Sequence, residues 1–301
     1  MKRYTIVLLV LLNGISSQSQ DLMTNYLSYV HNFYNLNPAY CAIGHKFAGI
    51  LDVRQKSGLN NINTMLGVSG MLNEHQGAGA RLITDIRGPF QVMVLDGTYA
   101  YKLGLDKDQS IYFGLSAGLV NKSINTSKIK NYDQLDADDP VLNSSNFRST
   151  TFTAGGGLIY EYKSFEFAVS APQLISANKK SLSYFNVLAA NIFYLNAQYE
   201  ITPILIYFNT PVLKNLVSVQ CKAEYNRKLS LQLGYQSNST FNACVGFTHS
   251  DIGVAYNFMT SNKIMNVQTS GTHEVILTLR MGKKNKNHHL NKIHPEMEHV
   301  E

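Results

Sequence analysis

From residue 46 onward, apolar and polar residues alternate with period two. Leu229, Leu231, Leu233 and Tyr235 interleave with Ser230, Gln232, Gly234 and Gln236, and Val217, Val219, Cys221, Ala223 and Tyr225 interleave with Ser218, Gln220, Lys222 and Glu224. Ile252, Val254, Tyr256 and Phe258 do the same against Asp251, Gly253, Ala255 and Asn257. Successive side chains of a strand point to opposite faces, so each segment has one apolar and one polar face. Fourteen strands are predicted, at 46–54, 62–72, 77–86, 91–104, 109–122, 149–162, 165–171, 186–200, 202–209, 215–226, 228–237, 241–248, 251–259 and 272–281.

The connections separate by parity. Those after even-numbered strands are tight: Asn73 to Gln76, Leu105 to Asp108, Lys163-Ser164, Ile201, Arg227 and His249-Ser250. Those after odd-numbered strands include the long segments 123–148, 172–185 and 260–271. Short turns at one end and longer loops at the other, on an even number of antiparallel strands, describe a transmembrane β-barrel of about 14 strands. A secreted β-sandwich also alternates and is the competing architecture. Its polar face would look to water and carry many Lys and Glu, whereas the polar positions here are mostly Ser, Gln, Asn, Gly and Thr. Tyr99, Tyr101, Tyr160, Tyr162, Tyr207, Phe208 and Phe258 recur near strand ends, where an interfacial aromatic girdle belongs.

Composition agrees with strands that have two unlike faces. Only 15% of the 301 residues are charged, and the chain holds 21 Gly, 18 Tyr and 14 Phe. Disorder, coiled coil and collagen-like repeats are excluded on that basis. No segment after the first 20 residues approaches the ~18 apolar residues of a membrane-spanning helix, which excludes a polytopic helical membrane protein.

Residues 1–19 read as a secretory signal: Lys2 and Arg3, an apolar run from Ile6 to Leu12, and small residues Ser17 and Ser19 before Gln20. A periplasmic N-terminal segment is expected over 20–45, the barrel over 46–282, and a flexible basic and His-rich tail over 283–301. Both termini of the mature chain are then periplasmic. The net charge of +6 resides largely in the ends, with Lys283, Lys284, Lys286 and Lys292 in the tail. No interleaved basic and aromatic surface for nucleic acid emerges.

Candidate chemistry is sparse. Cys41, Cys221 and Cys244 are too few and too widely spaced for a disulfide framework or a metal pair, though an oxidising compartment leaves room for one bridge. His288, His289, His294 and His299 have irregular spacing for zinc. Asp133, Asp136, Asp138 and Asp139 lack the Gly and terminal Glu of an EF-hand loop, so weak surface calcium binding stands beside a solvated acidic loop. His273 and Glu274 are neighbours at the start of the last strand and point to opposite faces, Ser270 lies just before it, and no Gly-x-Ser-x-Gly turn exists. Gly155-Gly156-Gly157 precedes no helix and marks a close backbone approach rather than a phosphate loop. Neither an enzyme nor a cofactor is expected.

Several blocks resemble, in order and spacing, the PorP/SprF-like outer-membrane proteins of type IX secretion and gliding systems in Bacteroidota. They are Asn37-Pro38-Ala39-Tyr40; Gly77-Ala78-Gly79 to Asp85 with Gly88; Phe113-Gly114-Leu115; Asp138-Asp139-Pro140; Gly155-Gly156-Gly157-Leu158; Ser170-Ala171-Pro172-Gln173-Leu174; and Ser270-Gly271-Thr272-His273-Glu274. The resemblance spans nearly the whole mature chain. It implies a non-catalytic outer-membrane component that works with other secretion-machinery components and helps deliver or hold a secreted adhesin at the cell surface. Its partners would be that surface protein, the machinery and outer-membrane lipid. Tyr132, Asp138, Asp139 and Phe147, in the longest loop, are the candidate partner contacts. A passive porin and a structural barrel with a plugged lumen remain the alternatives, since sequence does not say whether the lumen is open.

Overall fold

The computed structural model describes residues 33–57, 61–125, 128, 149–176, 184–209, 215–260 and 271–283. Its strands are β1 His45–Lys56, β2 Asn61–Met71, β3 Gln76–Arg87, β4 Phe90–Asp106, β5 Gln109–Ile124, β6 Ser149–Tyr162, β7 Phe165–Ser176, β8 Phe185–Asn191, β9 Phe193–Tyr194, β10 Tyr199–Asn209, β11 Leu216–Tyr225, β12 Leu229–Gln236, β13 Thr240–His249, β14 Ile252–Met259 and β15 Thr272–Lys283. Each pairs antiparallel with its neighbours in the chain, and β15 pairs back onto β1 from His45↔Lys283 to Lys56↔Thr272. β9 is a two-residue continuation of β8, and both pair with β10. The described strands therefore close into a barrel of fourteen staves. Among the described residues no helix is long and apolar enough to cross a membrane.

The two faces of each strand are inverted relative to a soluble sheet. Leu229, Leu231 and Leu233 are 48%, 48% and 56% exposed on the outside, while Gln232 between them is 0% exposed. On β11, Val217 and Val219 face out and Ser218 and Gln220 are buried. An apolar exterior around a polar interior is stable in hydrocarbon and unstable in water. Closure leaves no strand edge unpaired there, as a membrane-spanning sheet requires. This excludes the β-sandwich. From Val217 to Tyr225 the outward apolar set rises about 27 Å along the strand at ~3.4 Å per residue. A tilt of roughly 40° reduces that to about 20 Å along the membrane normal, close to the apolar band of outer-membrane barrels.

Three sequence expectations are corrected. The turn placed at Ile201 lies at Leu195–Gln198, between β9 and β10. Asn196 accepts there from the backbone N–H groups of Gln198 and Tyr199 (2.8 and 2.9 Å), and so supplies the turn that Ile201 lacks. Ile201 is mid-strand opposite Ala223. Phe208, assigned to the girdle, points inward and is 1% exposed, one residue out of phase with outward-facing Tyr207. The third concerns residues 20–45, expected outside the barrel. Their described stretch from Phe33 includes two 3₁₀ turns, Phe33–Asn35 and Pro38–Ala42, which pack inside the lumen against β2 to β6. Small eight-stranded barrels fill with their own side chains, but a wider ring needs other material. This segment supplies it.

Candidate functional site

The lumen segment is held by its backbone. Pro38, Ala39, Tyr40, Cys41 and Ala42 are all buried. Asn37 caps the second 3₁₀ turn by accepting from the Ala39 N–H at 2.9 Å, and its Nδ2 donates to Leu158 O (3.2 Å) and Val169 O (3.1 Å) on β6 and β7. Ser170 Oγ donates to Leu36 O at 2.6 Å, joined by Asn186 Nδ2 at 3.3 Å. Arg81 on β3 donates to Tyr34 O (3.2 Å) and Asn35 O (3.0 Å) while making a two-pronged pair with Asp96 on β4 at 2.9 and 2.8 Å. Such forked pairing fixes a guanidinium in place, and here it aims the remaining N–H groups at carbonyls that a strand ladder could not reach. Tyr34 donates to Thr98, and Tyr40 to Glu166.

The wall is cut to receive this segment. A β-carbon at Gly77, Gly114 or Gly157 would collide with Cys41 O, with the Ala39 backbone or with the Asn37 side chain, respectively. These glycines permit the close backbone approach. Burial pushes the Cys41 thiol up to about 12, so it packs as a protonated, unreactive group. Tyr40 is likewise raised, by burial first and then by Glu166 beside it.

The opposite wall is built differently. One transverse row of directly opposed lumen residues runs Asp85, Asn63, Arg54, Glu274, Asn257, Cys244, Gln232 and Lys222, from β3 through β1 and β15 to β11. Its charges alternate in sign and its amides lie between them, so the row is neutral overall. Asn257 Nδ2 donates to Glu274 Oε2 at 2.7 Å, and Gln232, Gln220 and Ser218 form a hydrogen-bonded chain at 2.8 and 3.1 Å.

The structure brings Asn37, Pro38, Ala39, Tyr40 and Gly114 together in the seat, and Asp85 and Glu274 into the polar row. The other motif positions lie apart. Gly88 turns between β3 and β4 at φ +58°, and Gly271 precedes β15 at φ +113°, against the Phe258 ring. Pro172 is buried where the β6–β7 register shifts opposite Gly155. His273 faces outward at 2.6 Å from Tyr256 Oη, on the opposite face from Glu274. Tyr132, Asp138, Asp139 and Phe147 lie outside the described residues, as do the acidic loop and the histidine tail. Cys221 is exposed and Cys244 buried, on opposite faces, and both are free thiols. Among the described residues no three His, Cys, Asp or Glu side chains converge. Sequence reasoning missed Tyr34, Arg81, Asp96, Glu166 and Asn186. The available signal was a charge at a lumen-phase position on each of two adjacent strands.

The family model for the type IX secretion system membrane protein PorP/SprF matches residues 16–279. No curated protein matches the chain. Among solved structures, the barrel is similar to the outer membrane protein Omp33 of Acinetobacter baumannii, with TM-score 0.51 and 9% identity over 80% of this chain and 100% of that one. It is similar also to the toluene transporter TbuX of Ralstonia pickettii, with TM-score 0.50 and 10% identity over 82% and 92%. At these identities the likeness is one of fold, an outer-membrane barrel.

Proposed function

The chain belongs to the PorP/SprF family of type IX secretion system membrane proteins, and on that premise we propose that it helps deliver or hold a secreted surface protein, an adhesin, at the cell surface without catalysing a reaction. The chain is an outer-membrane barrel of that secretion system. The observation that favours docking over conduction is the occupied lumen. Phe33–Ala42 fills one side through backbone hydrogen bonds, and a neutral polar row lines the other. An ion-selective pore would carry a ring of one sign. A rigid closed wall anchors the ends of its long connections at one end of the barrel. In this reading they face outward, with 123–148 as the docking surface, and both termini face the periplasm.

A deletion strain tests this. It should lose a large secreted protein from the cell surface while uptake of small solutes is unchanged. Normal surface display together with a large, steady single-channel conductance of the purified protein would overturn the proposal in favour of a porin.

A further inference from the structure

The outer face of the barrel is hollow across β4, β5 and β6. Gly97, Ala117 and Ala154 stand directly opposite one another on these strands, all in the outward phase. The rows on either side are bulky and exposed: Leu95, Leu119 and Phe152 in one direction, Tyr99 and Leu115 in the other. A floor of small residues thus lies between two rails, each roughly 7 Å of strand rise away. One end is closed by β7. There Pro172, Gln173 and Leu174 oppose the single residue Gly155, between the pairs Gly156↔Ala171 and Ala154↔Ile175, and the extra residues bend the strand off its ladder. Leu174 and Ile175, exposed on that bend, form the end wall of a groove of about 570 Å³.

Gly97 differs from the glycines of the lumen seat. A β-carbon there would meet nothing within 4 Å, so no neighbour in the barrel requires the glycine. Glycine weakens a strand interior, and what it achieves here is a low floor. The groove is continuous with the lipid-facing surface of an outer-membrane barrel, so its occupant comes from hydrocarbon rather than water. In that medium contact decides, because an unfilled hollow forfeits the dispersion attraction of its lining. A second barrel fits poorly, since two convex walls meet along a line and leave the hollow empty. A chain of methylenes is narrow and flexible enough to follow the floor between the rails. We propose that the groove holds an acyl chain of an outer-membrane lipid, bound more firmly than the lipid that coats the rest of the wall. Its volume falls within the range of small-ligand pockets, roughly 300–1,000 Å³.

The test uses the purified full-length chain, delipidated in detergent and titrated with palmitoyl-oleoyl phosphatidylethanolamine under native mass spectrometry. The first lipid should bind at least about tenfold more tightly than the next, a difference that roughly ten carbon–carbon contacts supply. Gly97→Leu and Ala117→Leu each fill the floor and should remove that preference. Ala243→Leu, outward on β13 at the opposite side of the ring, should keep it. Heat-modifiable gel migration establishes that each variant is folded before titration. No preferred first lipid in the parent chain overturns the proposal. So does a preference that survives in both groove variants. A dimer of the parent chain that Gly97→Leu splits also overturns it, by making a second copy the occupant.

Discussion

The Asn37 side chain occupies the space that a β-carbon of Gly157 would fill, and from there it bonds the carbonyls of Leu158 and Val169. Any side chain at 157 and the asparagine at 37 therefore exclude one another. Gly157→Ala should overpack the seat and cost ~1–3 kcal/mol. Asn37→Ala should cost a similar ~1–3 kcal/mol by leaving buried backbone groups without partners. Because the two residues share one space, the double variant should cost less than the sum of the single ones. Heat-modifiable gel migration of purified protein reads all three.

Arg81 and Asp96 offer a sharper contrast. The pair is almost wholly buried, with side chains 1% and 5% exposed, and Arg81 also holds two lumen carbonyls. Arg81→Met strands a buried carboxylate and should destabilise the barrel by ~3–5 kcal/mol. Adding Asp96→Leu should recover much of that loss, since no unpaired charge then remains. What it does not recover measures the carbonyl contacts. Equal instability of the single and double variants would count against a paired role.

Cysteine chemistry reports on the seat directly. Cys41 is 1% exposed and its thiol is pushed up to about 12, so at pH 7 to 9 almost none is thiolate. In folded protein Cys41 should resist a thiol reagent across that range and react fully once denatured. Ready labelling of folded protein at Cys41 would show that the segment leaves the lumen.

The barrel was legible because period two is a local property. Ser218, Gln220 and Lys222 declare one face and Val217, Val219 and Cys221 the other, within six residues. The tight turns were legible wherever turn chemistry is strong, as at Asn226 and Arg227, both left-handed between β11 and β12. The turn near Ile201 was misplaced because alternation runs almost unbroken through 186–209 and the signal at Asn196 is weak. The seat was not legible. Asn37 meets Gly157 across 119 intervening residues, and nothing in either block states which way the other faces. The resemblance grouped Asn37 to Tyr40 with Gly114 as family motifs, and only the closed ring turns them into neighbours. Arg81 and Asp96 carried a signal, a charge in lumen phase, but the partner of a lumen charge depends on register.

The orientation proposed above is testable by labelling in cells. In a background without native cysteines, Ser144→Cys in the longest loop should react with an impermeant maleimide on intact cells. Gln76→Cys, at the start of β3 beside a tight turn, should react only after the outer membrane is opened. Labelling of Gln76→Cys alone on intact cells would invert the barrel.

Removing the lumen segment should turn a closed barrel into a conducting one. Fourteen staves enclose more space than wall side chains fill, and Phe33–Ala42 takes up the excess with buried, hydrogen-bonded backbone. Deleting residues 20–42 from the mature chain leaves the interstrand ladders from β1 onward untouched. It does strip partners from Arg81, Ser170 and Asn186, so the barrel should survive with a lower unfolding midpoint. In planar bilayers the parent chain should be nearly silent and the deletion variant should pass ions steadily. Its selectivity should be weak, because Asp85 and Glu274 alternate with Arg54 and Lys222 around the exposed wall and no charge sign prevails. Arg54→Gln in the deletion background should then tip it toward cations. Equal conductance in the parent and deletion chains would mean that the segment does not seal the lumen, and the case for docking over conduction would lose its main support.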